Sequence, residues 1–145
     1  MPDVGLTHVA FSVRDLAASI AFYERYARMV VVHRREQADG IRVAWLTDQT
    51  RPFVIVLIET PERSDTPLGP SGHLGVACES RDEIDRLAAE ARRAGVLRRE
   101  PVEREYPIGY IAFLADPDGN SLELSYGQEV GLAVAHAGGG AGTPA

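Results

Sequence analysis

A repeat limits this chain more than any other feature. "HVAFSV" at residues 8–13 matches "HLGVAC" at 73–78 with an offset of 65, and "VIVLI" at 54–58 matches "SLELS" at 121–125 with an offset of 67. A repeat of this length marks a supersecondary unit that is completed by a second copy of itself. Within the first copy, Leu16, Ile20 and Tyr23 form an apolar stripe that predicts a helix from Asp15 to Ala27, with Asp15 favouring its start. Three strand candidates follow, "MVVVHR", "IRVAWL" and "FVIVLI", separated by "EQADG" and "TDQTRP". In the second copy Ser80 and Glu83 have the spacing of a capping box, and Ile84, Leu87, Ala88 and Ala91 share a helical face that ends at Gly95. "VLRRE", "GYIAFL" and "NSLELSY" complete it. Both halves therefore read β, α, β, β, β. The predicted class is α+β: two tandem βαβββ modules forming a curled sheet around a cup, with the helices outside.

The modules are expected at about residues 5–59 and 72–128, joined by a Pro/Gly-rich linker at 60–71 and together making one domain over 1–128. A chain of 145 residues is long enough for one such core without staples. Residues 129–145 are rich in Gly and Ala and are expected to form a flexible tail, which takes His136 out of ordered chemistry. The formal net charge of -6, with no Lys/Arg stripe, argues against a nucleic-acid partner. No apolar run approaches eighteen residues and no signal-peptide pattern opens the chain, so no membrane association and a cytoplasmic location are expected. Cys78 is the only cysteine, which excludes an intrachain disulfide and a Cys-rich zinc site. It reads as a buried strand thiol.

Period-two alternation divides each strand into faces. Val9, Phe11 and Val13 would meet the helix, leaving His8, Ala10 and Ser12 on the opposite face. Leu74, Val76 and Cys78 would do the same in the second copy, leaving His73, Gly75 and Ala77 opposite. In the last strand Leu122, Leu124 and Tyr126 divide from Ser121, Glu123 and Ser125. If the sheet curls, His8, His73 and Glu123 converge on the face away from the helices. Two imidazoles and a carboxylate form the donor set that holds one divalent metal ion, Fe, Mn, Co, Ni or Zn, with open positions for substrate or water. A strand histidine is commonly a surface residue and a glutamate between leucines commonly faces solvent, so it is the matching positions in the two copies that carry this reading.

"DPDGN" reads as the turn into the last strand, with Pro117 fixing φ, Asp116 accepting backbone hydrogen bonds and Gly119 supplying positive φ. Its composition is similar to part of a calcium loop, but the twelve-residue ligand spacing of an EF-hand is absent.

"LTHVAFSVRDLAASIAFYERY", "GHLGVACESRDEIDRLAAEARRAGV" and "YIAFLADPDGNSLEL" together resemble the vicinal oxygen chelate superfamily, which includes glyoxalase I, bleomycin- and fosfomycin-resistance proteins, methylmalonyl-CoA epimerase and extradiol dioxygenases. The resemblance spans residues 5 to 128. It implies paired βαβββ modules around a metal, often in a homodimer, and a small-molecule substrate whose adjacent oxygens chelate that metal. It also implies His8, His73 and Glu123 as metal ligands, with Glu123 as the catalytic group. The fourth ligand of glyoxalase I falls on Val56, which can neither bind metal nor take a proton. The tyrosine of the extradiol enzymes falls on Phe113, with Tyr106 and Tyr110 nearby, and His33 has no counterpart in that pattern.

The expected function is therefore a metal-dependent enzyme acting on a small oxygen-rich substrate, with glyoxalase-like lyase or isomerase chemistry. The alternatives are an extradiol-type ring-cleaving dioxygenase and a non-catalytic drug- or metabolite-binding protein of bleomycin-resistance type. Trp45, Val56, Tyr106, Tyr110, Phe113 and Ser125 are candidates for the pocket lining.

Overall fold

A computed structural model describes residues 3, 6–62, 68–69 and 71–140. The elements run β1 (His8–Val13), α1 (Leu16–Ala27), β2 (Val30–Glu36), β3 (Arg42–Thr47), β4 (Val54–Glu59), β5 (His73–Ala77), α2 (Arg81–Arg93), β6 (Leu97–Arg104), β7 (Gly109–Ala115), β8 (Ser121–Tyr126) and α3 (Val130–Gly140). They build two four-stranded sheets with the orders β1-β4-β3-β2 and β5-β8-β7-β6, the same order twice. β1 and β4 are parallel, with His8 opposite Val54 and Val13 opposite Glu59, whereas β3 is antiparallel to both β4 and β2.

The two offsets of the repeat reappear in the hydrogen bonding. Applied to the pair Val13 and Glu59, they place Cys78 opposite Tyr126. Bonds in a parallel ladder slant to the neighbour of the opposite residue. Accordingly, the Cys78 amide donates to the Ser125 carbonyl at 2.7 Å. Cys78 itself is half-buried.

Each helix starts where the sequence places a cap. Asp15 is extended and its carboxylate accepts from the Ala18 amide at 3.0 Å. Leu16, Ile20, Tyr23 and Ala27 then lie along the buried face, and Arg28 in the left-handed region ends the helix. Glu59, the last residue of β4, adds a carboxylate that accepts from the Leu16 amide at 2.7 Å and pairs with Arg42. In α2 the Ser80 hydroxyl accepts from the Glu83 amide, as the capping box predicts. The return bond differs: the Glu83 carboxylate accepts from the amide of Glu79, one residue before the cap. One helix donor, the Glu83 amide, is thereby satisfied, together with the Glu79 amide just before the cap.

The chain clusters into two compact units, residues 1–73 with 115–121 and residues 74–114 with 122–145. The first unit thus includes the "DPDGN" turn. Its Asp116 accepts from the amides of Asp118 and Asn120 at 2.9 and 2.8 Å, and Gly119 at φ +86 closes the turn. Asp116 also accepts from the Tyr23 hydroxyl at 2.7 Å, while Asp118 accepts from the Arg14 amide at 2.9 Å and lies 3.3 Å from the Ser19 hydroxyl. Tyr23, Ser19, Asp116, Asp118 and Asn120 are all buried. Burial, reinforced by the Asp116 charge, raises the Tyr23 pKa far above its ordinary value. Its phenol therefore stays a donor.

Three expectations are corrected. "VLRRE" is only the start of an eight-residue strand, β6, which runs past Pro101 with irregular pairing to β7 on either side of Arg99. Cys78 follows β5 rather than lying in it, and it is not fully enclosed. Residues 130–140 of the presumed tail form α3, whose alanines are strong helix formers despite the glycines. Its start is tied down by the Glu129 amide donating to the Pro107 carbonyl. His136 thus lies in a helix, and it is exposed. Part of the linker expected at 60–71 and the end of the tail lie outside the described residues. Among the described residues no helix is long and apolar enough to cross a membrane.

Replacing Asp116 with Ala strands the Tyr23 hydroxyl and the turn amides together and should cost about 3 kcal/mol or more of unfolding free energy, against about 1 kcal/mol for Tyr23→Phe. Urea unfolding of both variants checks the ranking. The Leu16 amide, then Arg42, holds Glu59 below the usual carboxylate range. Its stabilising contribution is therefore complete above the ordinary carboxylate pKa and is lost as pH falls through the lower folded value. Glu59→Gln should lower stability at pH 7 by about 0.5–2 kcal/mol. The difference from wild type should shrink in thermal unfolding at pH 3.

Candidate functional site

In the first sheet the registers gather one set of side chains on one face. His8 opposes Val54, Ala10 opposes Val56, Val56 opposes Trp45, and Trp45 opposes His33. Directly opposed residues project to the same side of a sheet. Phe11 and Val13, of the alternate set, are buried against the core, as the alternation predicts. The face away from them lines a cavity of about 780 Å³, which includes His8, His33, Trp45, Val56 and two arginines, Arg35 and Arg51. His33 and Trp45 pack at 4.8 Å between ring centres, tilted by 54°.

His8 is exposed, and its Nδ1 lies 2.9 Å from the Thr7 hydroxyl. His73 opens β5 and is also exposed, with Nδ1 3.1 Å from the Ser71 carbonyl oxygen. A carbonyl only accepts, so a neutral His73 carries its proton on Nδ1 and its lone pair on Nε2. Glu123 is buried in β8, and its Oε1 accepts from the Gln128 side-chain amide at 3.0 Å. Glu123 is not a solvent-facing acid between leucines. Gln128 follows Gly127, whose φ of +76 turns the chain back beyond β8.

These groups fit a metal by their chemistry: two imidazoles, one of them fixed in the tautomer that leaves Nε2 basic, and a carboxylate oriented by an amide. Among the described residues, however, no three or more His, Cys, Asp or Glu side chains are grouped to hold an ion. The remaining candidates are engaged within the second unit. Tyr110 donates to Asp85 at 2.5 Å, and Arg81 lies over its ring. Arg99 lies over the Phe113 ring, and the Ser125 hydroxyl donates to the Val76 carbonyl at 3.3 Å. Tyr106 is largely exposed. Of the residues read from the sequence as pocket lining, Trp45 and Val56 line the cavity on the first sheet. The sequence reading missed Arg35, Arg51 and Gln128, and it left His33 unplaced.

The profile of the Glyoxalase/Bleomycin resistance protein/Dioxygenase superfamily matches residues 5–124. This chain belongs to that superfamily. An uncharacterized protein of Pseudomonas aeruginosa is 40% identical over 128 residues, covering 87% of this chain and 91% of its own. A Neisseria meningitidis lactoylglutathione lyase is 27% identical over 123 residues, covering 82% and 88%. The crystal structure of glyoxalase I from Zea mays superposes with a TM-score of 0.65 at 27% identity, over 82% of this chain and 43% of the maize chain. The superfamily arrangement of two βαβββ modules is the one seen here. Its sheet order recurs in both halves.

Tyr110 provides a local check on this geometry. The hydrogen bond to Asp85, followed by burial and the Asp85 charge, pushes its pKa up to about 12. Asp85→Asn should return it toward the ordinary value near 10, measured by phenolate absorbance against the other tyrosines.

Proposed function

We propose that this protein is a metal-dependent enzyme that acts on a small oxygen-rich substrate by glyoxalase-like lyase or isomerase chemistry, with His8, His73 and Glu123 as the protein ligands. The carrying observation is the histidine geometry: each strand-opening imidazole has its Nδ1 engaged locally, by Thr7 or Ser71. That is the usual arrangement for a ligating Nε2. The relatives named lactoylglutathione lyase and glyoxalase I support the reaction class.

A bound divalent ion would supply Lewis acidity toward adjacent substrate oxygens. The chain's own residues do the rest. His8 lines the cavity on the first sheet, where Trp45 and Val56 offer apolar surface to a bound molecule. Gln128 donates to Oε1 of Glu123 and so orients the carboxylate that would take up or return a proton. Val56 occupies the place of a fourth ligand, and its apolar side chain offers neither a donor atom nor a base. The carboxylate on β8 is therefore the candidate proton carrier.

The working form is proposed to be a homodimer. The matched region is 43% of the maize glyoxalase I chain, so that chain is more than twice as long as the region matched here. Two copies of this chain would supply a comparable length.

Supplying Mn, Fe, Co, Ni or Zn anaerobically and analysing the desalted protein by elemental analysis tests the reading. His8→Ala, His73→Ala and Glu123→Ala should each lower occupancy more than tenfold, and Gln128→Leu should lower it less. Turnover of a hemithioacetal by the loaded protein supports lyase chemistry. Oxygen uptake with a catechol and Fe(II) alone would instead assign ring cleavage, and a chain that takes up no metal would be a binding protein.

A further inference from the structure

The cavity on the first sheet has a wall that metal binding does not use. Trp45 is 37% exposed, the highest value among the residues of β3 that face the cavity, and its indole packs against His33. That pair presents a broad aromatic surface above Val54, Val56 and Ala10. Arg35 lies two residues beyond His33 on β2, hence on the same face. Arg51 reaches the cavity from the loop before β4. Asp3 is the one carboxylate among the described lining residues, where two permanent positive charges accompany one negative charge. This is the reverse of the whole chain, whose net charge is -6. The arginines are not equivalent. The Arg51 charge acts on Asp48, whereas among the described residues no carboxylate forms an ion pair with Arg35.

An apolar floor, a π-surface and a guanidinium that has no ion pair among the described residues together select for a flat apolar body with an anionic end. Guanidinium matches a carboxylate through two parallel hydrogen bonds, and indole offers a ring the face of another. We propose that this cavity binds a small aromatic carboxylate, its ring against the Trp45–His33 pair and its carboxylate on Arg35. The volume of about 780 Å³ is ample for such a molecule. The inference deepens the functional reading by naming a substrate class for the same site. It rests on the cavity being the substrate site, but its test does not require metal.

Trp45 is the only tryptophan of the chain, so intrinsic fluorescence reports on this wall alone. The full-length protein, treated with EDTA, is titrated with phenylacetate, with phenylacetamide as the neutral analogue and cyclohexylacetate as the non-aromatic one. Saturable quenching by phenylacetate is expected, with both analogues at least tenfold weaker. Arg35→Gln should cost at least tenfold in phenylacetate affinity and leave phenylacetamide unaffected. Arg35 is exposed, so the variant should keep its circular dichroism spectrum and thermal midpoint. Equal affinities for acid and amide, an unaffected Arg35→Gln variant, or no saturable change would each overturn the proposal. Metal uptake is measured on the same preparation. Uptake without phenylacetate binding defeats the ligand class alone, whereas phenylacetate binding without uptake defeats the metal-dependent reading alone.

Discussion

The alternation of side chains across one pleated sheet is the constraint on which the candidate site depends. Because β1, β4, β3 and β2 are held in a definite register, burying Phe11, Val13, Ile55, Leu57, Ala44 and Leu46 on one side forces His8, Val56, Trp45 and His33 to the other. A slip of one residue in any strand would exchange the two sets. Core packing and site construction are therefore the same event. The packing of the apolar face fixes the placement of the residues on the cavity face.

How much of this is legible in the sequence depends on how clean the alternation is. β1 is clear: "HVAFSV" alternates and the structure follows it. The helices are clear because Asp15 and Ser80 cap them and their stripes are regular. β2 is not. All its residues except Val31 are exposed, and an irregularity between Val31 and His33 breaks the pattern that would have tied His33 and Arg35 to Trp45. Arg35 is placed on the cavity face only by the register that sets His33 opposite Trp45. Gln128 is hidden for another reason. It lies beyond the strand that carries Glu123, and only the left-handed turn at Gly127 returns it.

The C-terminal region shows the limit of composition as a guide. Glycine and alanine together suggest chain without packing partners, yet alanine is also the best helix former. Residues 130–140 are helical, with Val130, Leu132 and Val134 largely exposed. The chain just before the helix is anchored by the Glu129 amide donating to the Pro107 carbonyl.

The "DPDGN" turn gives the duplication an unexpected boundary. By sequence it belongs to the second copy, but its carboxylates accept the hydroxyl of Tyr23 and the amide of Arg14 and sit beside Ser19, all from the first. A fragment cut between the copies would therefore retain the complete sequence of module one and lose the acceptors for its most deeply buried hydroxyls. The repeat in the sequence and the compact unit in the structure therefore have different boundaries: residues 115–121 repeat with one copy and hydrogen-bond with the other.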